Sequence, residues 1–396
     1  MLRTNNRILI SGAGVAGLTA AYWLKKYGFE PVIVEQSPHL REGGYMIDFW
    51  GLGFDVAEKM GILPDLKKAH YNIASLDYVD ENNHRKGGIS VEKMRAAVNY
   101  RHYNLLRGNL ARILYDLVRS TVEIKFGESI QSVSQDQESV QVTLTDGETQ
   151  TYDLLIGADG LHSNVRSLVF GNEEQYERYL GYYTSSFTID NYLGADRIWR
   201  SYNTPEKQIG IYSIAENKLA SFFIFKQNEK LNLSHHDTEG AKKVLWEMFC
   251  NEGWESKDIL TRMDTAPDFY FDIVSQIVMD TWYKGRVTLI GDASHCVSLL
   301  AGQGSALAMA SAYTLAGELK NADGDYLSAF KEHENVISPE IERVRKIALE
   351  FANEFVPGSK FAIWKRNVTS RLTNLQFVMN SFVNRFMANS IKLKDY

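Results

Sequence analysis

Hydrophobic and polar positions along this chain fall into three kinds of run. Short, nearly uninterrupted apolar runs, the pattern of strands covered on both faces, lie at Arg7 to Ser11, Pro31 to Val34, Tyr152 to Gly157 and Val287 to Ile290. The first, third and fourth pass through a glycine-bearing turn or loop into a helical pattern or helix start, which predicts strand–turn–helix units of a parallel sheet. Alternating runs come next. Ile73 to Asp80 and His84 to Ser90 flank Glu81-Asn82-Asn83 as a β-hairpin, Val122 to Phe126 and Val140 to Leu144 precede an Asp146-Gly147 turn, and from Tyr179 to Ile273 aromatic strands dominate, notably Ile209 to Ile214 and Leu219 to Phe225. Helical spacing appears from Leu52 to Lys68 with a stop at Gly61-Ile-Leu-Pro64, from Leu105, around Gly240 to Asn251, from Ser305 to Ala316, from Asp325 to Ala352 and from Phe361 to Phe386.

The first unit carries specific chemistry. Gly12-Ala13-Gly14-Val-Ala16-Gly17 follows a strand, opens a helix, and is answered by Glu35 at the end of the second strand, which is the dinucleotide fingerprint in its required setting. Gly12 allows the tight turn, Gly14 lets a pyrophosphate approach the backbone, Gly17 lets the helix pack on the strand, and Glu35 can accept bonds from ribose hydroxyls. This does not distinguish FAD from NAD. Later, Asp159-Gly160 closes one strand and Gly291-Asp292 another, followed by Gly302-Gln303-Gly304-Ser305 at a helix start. In isolation either acid reads equally as a helix cap; the glycine-rich helix start also suits an anionic ring, because free N–H groups and the dipole point at whatever lies above it. Arg107, at a helix N-terminus that disfavours a cation, is either solvated or bound to an anion.

Charge and cysteine usage narrow the class. A net charge of −6 argues against nucleic acid as the main partner, and two cysteines, Cys250 and Cys296, exclude a disulfide framework and supply no metal cluster. Without a leader pattern or an apolar stretch of membrane-spanning length, the expectation is a cytoplasmic protein, taken to be a monomer.

In order and spacing, the three glycine and acid motifs resemble those of single-component (group A) FAD-dependent monooxygenases, over nearly the whole chain. Within that group the chain is most similar to the tetracycline-inactivating flavoenzymes, through Arg41-Glu-Gly-Gly44 with Asp48, Leu106-Arg107-Gly, Asp268-Phe-Tyr-Phe-Asp272 ahead of Trp282, and Leu315-Ala-Gly-Glu-Leu-Lys-Asn-Ala-Asp-Gly-Asp325-Tyr. The resemblance implies an α/β fold: a Rossmann-like FAD-binding domain of the PHBH type, with an inserted mixed and antiparallel sheet domain for substrate, and C-terminal helices. The expected division is 1–72, 100–178 and 275–330 for FAD, 73–99 and 179–274 for substrate, and 331–396 as helices capping the substrate entrance.

It further implies that Gly12, Ala13, Gly14, Ala16 and Gly17 hold the FAD pyrophosphate, Glu35 and Gln36 the ribose, Arg107 the phosphate or ribityl region, and Asp292 the ribityl or pyrophosphate. Arg41 and Asp48 join the cofactor set, Asp159 shapes a site used in common by FAD and NADPH or NADH, and Gly302, Gln303, Gly304 and Ser305 lie along the flavin ring. No side chain is catalytic in itself; the chemistry belongs to flavin C4a, with Leu299, Leu300, Ala301 and Gly302 beside it. Tyr212, Phe223 and Leu300 are the substrate-side candidates, for a polycyclic or aromatic molecule such as a tetracycline. Two positions depart from the family pattern, Leu299 where a proline is usual and Ala306 where an asparagine is usual, so partial leakage of reducing power to hydrogen peroxide is expected. The alternatives are another flavin oxidoreductase of this fold, a halogenase being disfavoured by the absence of a Trp-x-Trp-x-Ile-Pro run, and a flavin-bound protein that sequesters its ligand. The aromatic stripe of Phe361 to Phe386 is expected to dock on the body, the other reading being a helix drawn to anionic lipid.

Overall fold

The computed structural model describes residues 6–41, 45–214, 217–234, 237–388 and 390–396; Glu42, Gly43 and Gly44 of the Arg41 motif lie outside them. Four apolar strands predicted from sequence form the centre of a six-stranded sheet, ordered Tyr283–Lys284, Val287–Leu289, Leu154–Gly157, Arg7–Ser11, Glu30–Glu35 and Glu123–Phe126. All neighbours pair in parallel except the first two. Ile8, Leu9, Ile10, Leu154, Leu155, Ile156, Val287 and Leu289 are inaccessible to solvent, as strands covered by helices on both faces must be. Val15–Lys26 and Gly304–Asn321 pack against each other on this sheet, their small residues allowing close approach. Thr149–Tyr152 belongs to a separate three-stranded antiparallel sheet with Val140–Leu144 and Ile130–Gln135, so the run from Tyr152 is divided at Asp153. Asp153 accepts from the backbone N–H of Arg7 at that break.

An eight-stranded sheet stands apart from the first. The hairpin Ser75–Val79 and Arg85–Ser90 is its edge, joined in parallel to Ile198–Thr204 and then antiparallel through Lys207–Ile214, Lys218–Lys226, Glu177–Ser186 and Tyr270–Ile277, and Thr188–Asp190 adds the eighth strand antiparallel to Lys218–Lys226. Alternation divides its side chains. Phe187, Phe223, Phe225 and Ile211 face Leu245 and Phe249 of the Thr238–Phe249 helix, while Tyr212, Ala220, Phe222 and Ile224 face Met46, Leu299, Leu300 and Phe355. A two-stranded ribbon, Met46–Trp50 with His102–Leu106, connects the two sheets. The helix predicted from Leu105 therefore starts at Arg107, because Leu105 and Leu106 are already paired to Ile47 and Met46.

The C-terminal prediction is corrected in two respects. Phe361 to Phe386 is not one helix but two, Lys360–Leu372 and Gln376–Phe386, broken at Thr373, Asn374 and Leu375. The first docks by its polar face: Ser370 is buried, and Phe361, Trp364, Val368 and Leu372 are exposed. Polar side chains satisfy the unpaired backbone of the Arg85–Ser90 edge strand, which an apolar stripe cannot do. Among the described residues no helix is long and apolar enough to cross a membrane.

Candidate flavin site

The first glycine turn is held from both neighbouring strands. Gly12 donates to Val34 O at 2.7 Å, and Ala158 donates to Ser11 O at 2.8 Å, which brings the turn after the first strand against the Asp159 turn. Gly12 has φ +107°, and a Cβ there would stand 2.5 Å from Ala158 O; at Gly17 it would stand 2.0 Å from Gly12 O. Only glycine fits either position. At Gly14 the space is open, its nearest neighbour being Arg107 Nη2 at 3.7 Å from such a Cβ. The helix that starts there has no side-chain cap and no acid in its first turn, so its N-terminal donors are left for a ligand. The Arg107 guanidinium makes no hydrogen bond among the described residues, and its charge opposes the effect of burial on Asp292.

Glu35 closes the turn. One carboxylate oxygen accepts from Ala13 N at 2.8 Å and the other from Ser37 N at 2.9 Å, which leaves each oxygen a lone pair for a further donor. Gln36 and Arg41 are exposed on the loop that follows. Asp159 is absorbed by the protein: it accepts from Ser163 Oγ at 2.5 Å, Val165 N at 3.0 Å and Ser11 Oγ at 3.4 Å, and so fixes the start of the Asn164–Val169 helix. Burial pushes its carboxyl upward, against these bonds. Asp48 is likewise engaged, by His102 Nε2 at 3.0 Å and Asn104 Nδ2 at 2.5 Å, within a network that continues to Arg95 and Asn72. Asp48 braces the ribbon.

The late motif meets the first turn across the two long helices. A Cβ on Gly291 would touch Ala16 and Ala308, and Asp292 Oδ1 lies 3.8 Å from where Gly304 would carry one. Gly304–Asn321 also starts without a side-chain cap or an acid in its first turn. Beneath it, His295 Nε2 and His333 Nε2 share the Ser311 hydroxyl at 3.0 and 2.9 Å, with Trp282 packed on both rings, which anchors the Gly291–His295 turn to two helices. Burial pushes His333 down to about 3 and His295 well below its ordinary value, so both are neutral. Ser298, at φ +87°, then turns the chain into the short helix Leu299–Ala301. Trp50 stands beside Gly302, and its indole Nε1–H has no acceptor among the described residues.

Of the substrate-side candidates, Tyr212 and Leu300 face one another across the same apolar cluster, and the Tyr212 hydroxyl accepts from Met46 N at 2.6 Å. Phe223 does not belong with them. Its side chain points to the opposite face of the sheet, packed on Phe187 and Phe249, where its burial is worth ~2–3 kcal/mol; the neighbouring Phe222 takes the site-facing place. The strand alternates, and the sequence reading chose the wrong parity.

Two groups escaped the sequence reading. Tyr45 lies between Arg107 and the ring of Tyr270, 5.4 Å away, and burial pushes its phenol up to about 12 although Arg107 opposes this. His162, in the loop after Asp159, bonds Glu173 at 2.9 Å and Asp272 at 3.1 Å. Burial works against its imidazolium, but these two carboxylates outweigh it and raise the group to about 10. Neither is visible in a linear motif, because Tyr270 and Asp272 reach them from the distant strand Tyr270–Ile277.

An uncapped, acid-free helix start at Gly14, a second at Gly304, a free guanidinium between them and a strand-end carboxylate define a site for an extended dinucleotide, and the residues fit FAD. The chain belongs to the family of FAD binding domains, which it matches over residues 5–325. A flavin-dependent monooxygenase from an unknown prokaryotic organism is 38% identical over 394 residues, 98% of each chain. The crystal structure of the tetracycline destructase Tet(55) superposes with a TM-score of 0.85 at 33% identity and full coverage of both chains. Klebsiella pneumoniae HpxO with FAD and uric acid has the same fold, with a TM-score of 0.78 at 21% identity over 98% of this chain and 99% of that one. This is a flavin-dependent monooxygenase of the PHBH-type fold.

Proposed function

We propose that the enzyme takes its electrons from NADPH or NADH and hydroxylates an electron-rich polycyclic or aromatic molecule, with tetracycline-type antibiotics, and hence their inactivation, as the leading class. Bound FAD supplies the oxygen chemistry: two electrons from the nicotinamide, one oxygen atom to the substrate, and the other released as water. The chain's own residues bind, orient and exclude water. The N–H groups from Gly14 to Gly17 and Arg107 would hold the pyrophosphate, Glu35 the ribose, and Asp292 the ribityl chain. Gly302 to Ser305 present a helix N-terminus to the anionic edge of the ring, which lowers the energy of developing negative charge without a charged side chain.

The observation that carries the substrate class is the aromatic face of the large sheet. Tyr212, Trp199 and Phe222, with Phe355 from the long Tyr326–Phe355 helix, are gathered against Leu299 and Leu300, immediately before the Gly302–Gly304 turn. An aromatic-rich apolar lining with the Tyr212 phenol suits a fused-ring ligand, and the relation to Tet(55) points the same way. The test is turnover by the FAD-loaded enzyme with NADPH, oxygen and a ligand panel that includes tetracyclines. The expected result is ligand-stimulated NADPH oxidation with a product heavier by one oxygen atom; quenching of flavin fluorescence without such a product would favour sequestration instead.

A further inference from the structure

The Lys360–Leu372 helix inverts the usual arrangement of a surface helix, in which the apolar side is turned inward. Its inward side is polar. Arg366 lies over the Tyr78 ring at 3.8 Å and donates to Asn203 at 2.9 Å, and the Ser370 hydroxyl accepts from Gly88 N at 2.9 Å. Arg371 donates to Lys86 O at 2.8 Å, and just beyond the helix Asn374 accepts from Ser90 N at 2.8 Å. With the polar side committed to the sheet edge, the apolar side faces solvent as a continuous ridge: Phe361 is 70% exposed, Trp364 60%, Leu372 54% and, at the start of the next helix, Phe377 73%. Four large apolar groups on one ridge are not the scattered exposure normal for a surface.

The flanking charge selects the occupant. Lys360 and Lys365 are exposed on either side of the ridge, Arg371 lies at its rim, and no acid occurs from Val356 to Lys394. A second copy brought face to face would set these cations against their own counterparts. An anionic lipid surface would satisfy both features, taking aromatic side chains at the boundary of headgroup and acyl chain while lysines extend to phosphates. The net charge of −6 does not prevent this, because at physiological salt charges farther away than about 8 Å are largely screened. We infer that the ridge from Phe361 to Phe377 seats the enzyme on an anionic membrane surface, with the Lys360–Leu372 helix lying in the interface.

The experiment is sedimentation of the full-length, FAD-loaded protein with phosphatidylglycerol–phosphatidylcholine vesicles and with phosphatidylcholine vesicles. Binding is expected to the first, weaker by about tenfold on the second and in high salt. Phe361→Ser with Trp364→Ser should weaken it by more than about tenfold, with FAD content and thermal midpoint unchanged because both side chains face solvent. Lys360→Glu with Lys365→Glu should abolish the lipid selectivity. The inference is overturned if the wild-type protein stays in the supernatant with anionic vesicles, or if both double variants bind as well as wild type. A dimer in sedimentation velocity that Phe361→Ser with Trp364→Ser dissolves, without vesicle binding, would assign the ridge to a second copy and overturn it equally.

Discussion

At the residue scale the site depends on carboxylates placed for unequal purposes. Glu35 was legible from its position after the second strand, but not its double duty: it secures the glycine turn through Ala13 and Ser37 before any ribose arrives. Glu35→Gln keeps the shape and removes the charge, so FAD affinity, followed by quenching of flavin fluorescence in the apoprotein, should fall about tenfold to a hundredfold as one or two charge-assisted bonds are lost. An unchanged affinity would leave Glu35 with the turn alone. Asp159 and Asp48 were equally legible as positions but their protein partners were not: Ser163 and Val165 for the first, Asn104 for the second, since a carboxylate that braces the backbone and one that meets a cofactor look alike in a linear sequence. His162 gives a pH signature with a definite sign. Its folded value, raised to about 10, exceeds the ordinary 6.5, so its pairing with Glu173 and Asp272 contributes fully below pH 6.5 and is lost as pH rises toward 10. Denaturant midpoints measured from pH 6 to 10 should therefore decline less in His162→Gln than in the wild type; parallel profiles would refute the assignment.

At the scale of elements, the apolar strands and the glycine turns were readable because burial on both faces and backbone approach each restrict residue choice strongly. The facing of Phe223 and the break after Leu372 were not. Strand parity is fixed by the partner strand, and the inward side of a C-terminal helix by which surface needs covering, neither of which is a property of the segment itself. The Leu299 and Ala306 departures now separate. Leu299 opens a short helix where a proline is tolerated, and no hydrogen bond from its N–H is found among the described residues, so Leu299→Pro should leave stability within about 1 kcal/mol. Ala306 is different. Its Cβ lies 2.7 Å from where Gly53 would carry one, and the Leu52–Met60 helix is packed on it there, so Ala306→Asn overfills the contact and should cost about 1–3 kcal/mol. Thermal melts of the two single variants test this, and hydrogen peroxide formed per NADPH consumed tests whether Leu299→Pro reduces leakage. An Ala306→Asn protein as stable as wild type would show that the helices separate more readily than this packing allows.

For the whole molecule, the consequence of these contacts is that FAD would join parts of the chain far apart in sequence: the turn after the first strand, Arg107 following the ribbon, and the Gly291–Gly304 segment. The N-termini of Val15–Lys26 and Gly304–Asn321, which lack side-chain caps, would take their partners from FAD, whereas the cluster of Phe187, Phe223 and Phe249 behind the large sheet is complete in itself. Stripping FAD should therefore loosen the molecule unevenly. With free FAD at one hundred times its Kd, the holoprotein gains about 2.7 kcal/mol over the apoprotein, which for a chain of this size is roughly 3 °C in thermal midpoint. Hydrogen exchange should localise the change. Amides from Gly12 to Gly17 and from Gly291 to Ser305 should gain protection when FAD is added back, and those of Leu219 to Phe225 should stay as they were, because their sheet pairing and aromatic packing do not involve the cofactor. Equal protection changes across both sheets would mean that the molecule responds to FAD as one cooperative body, and an unchanged thermal midpoint would mean that these turns are already ordered without it.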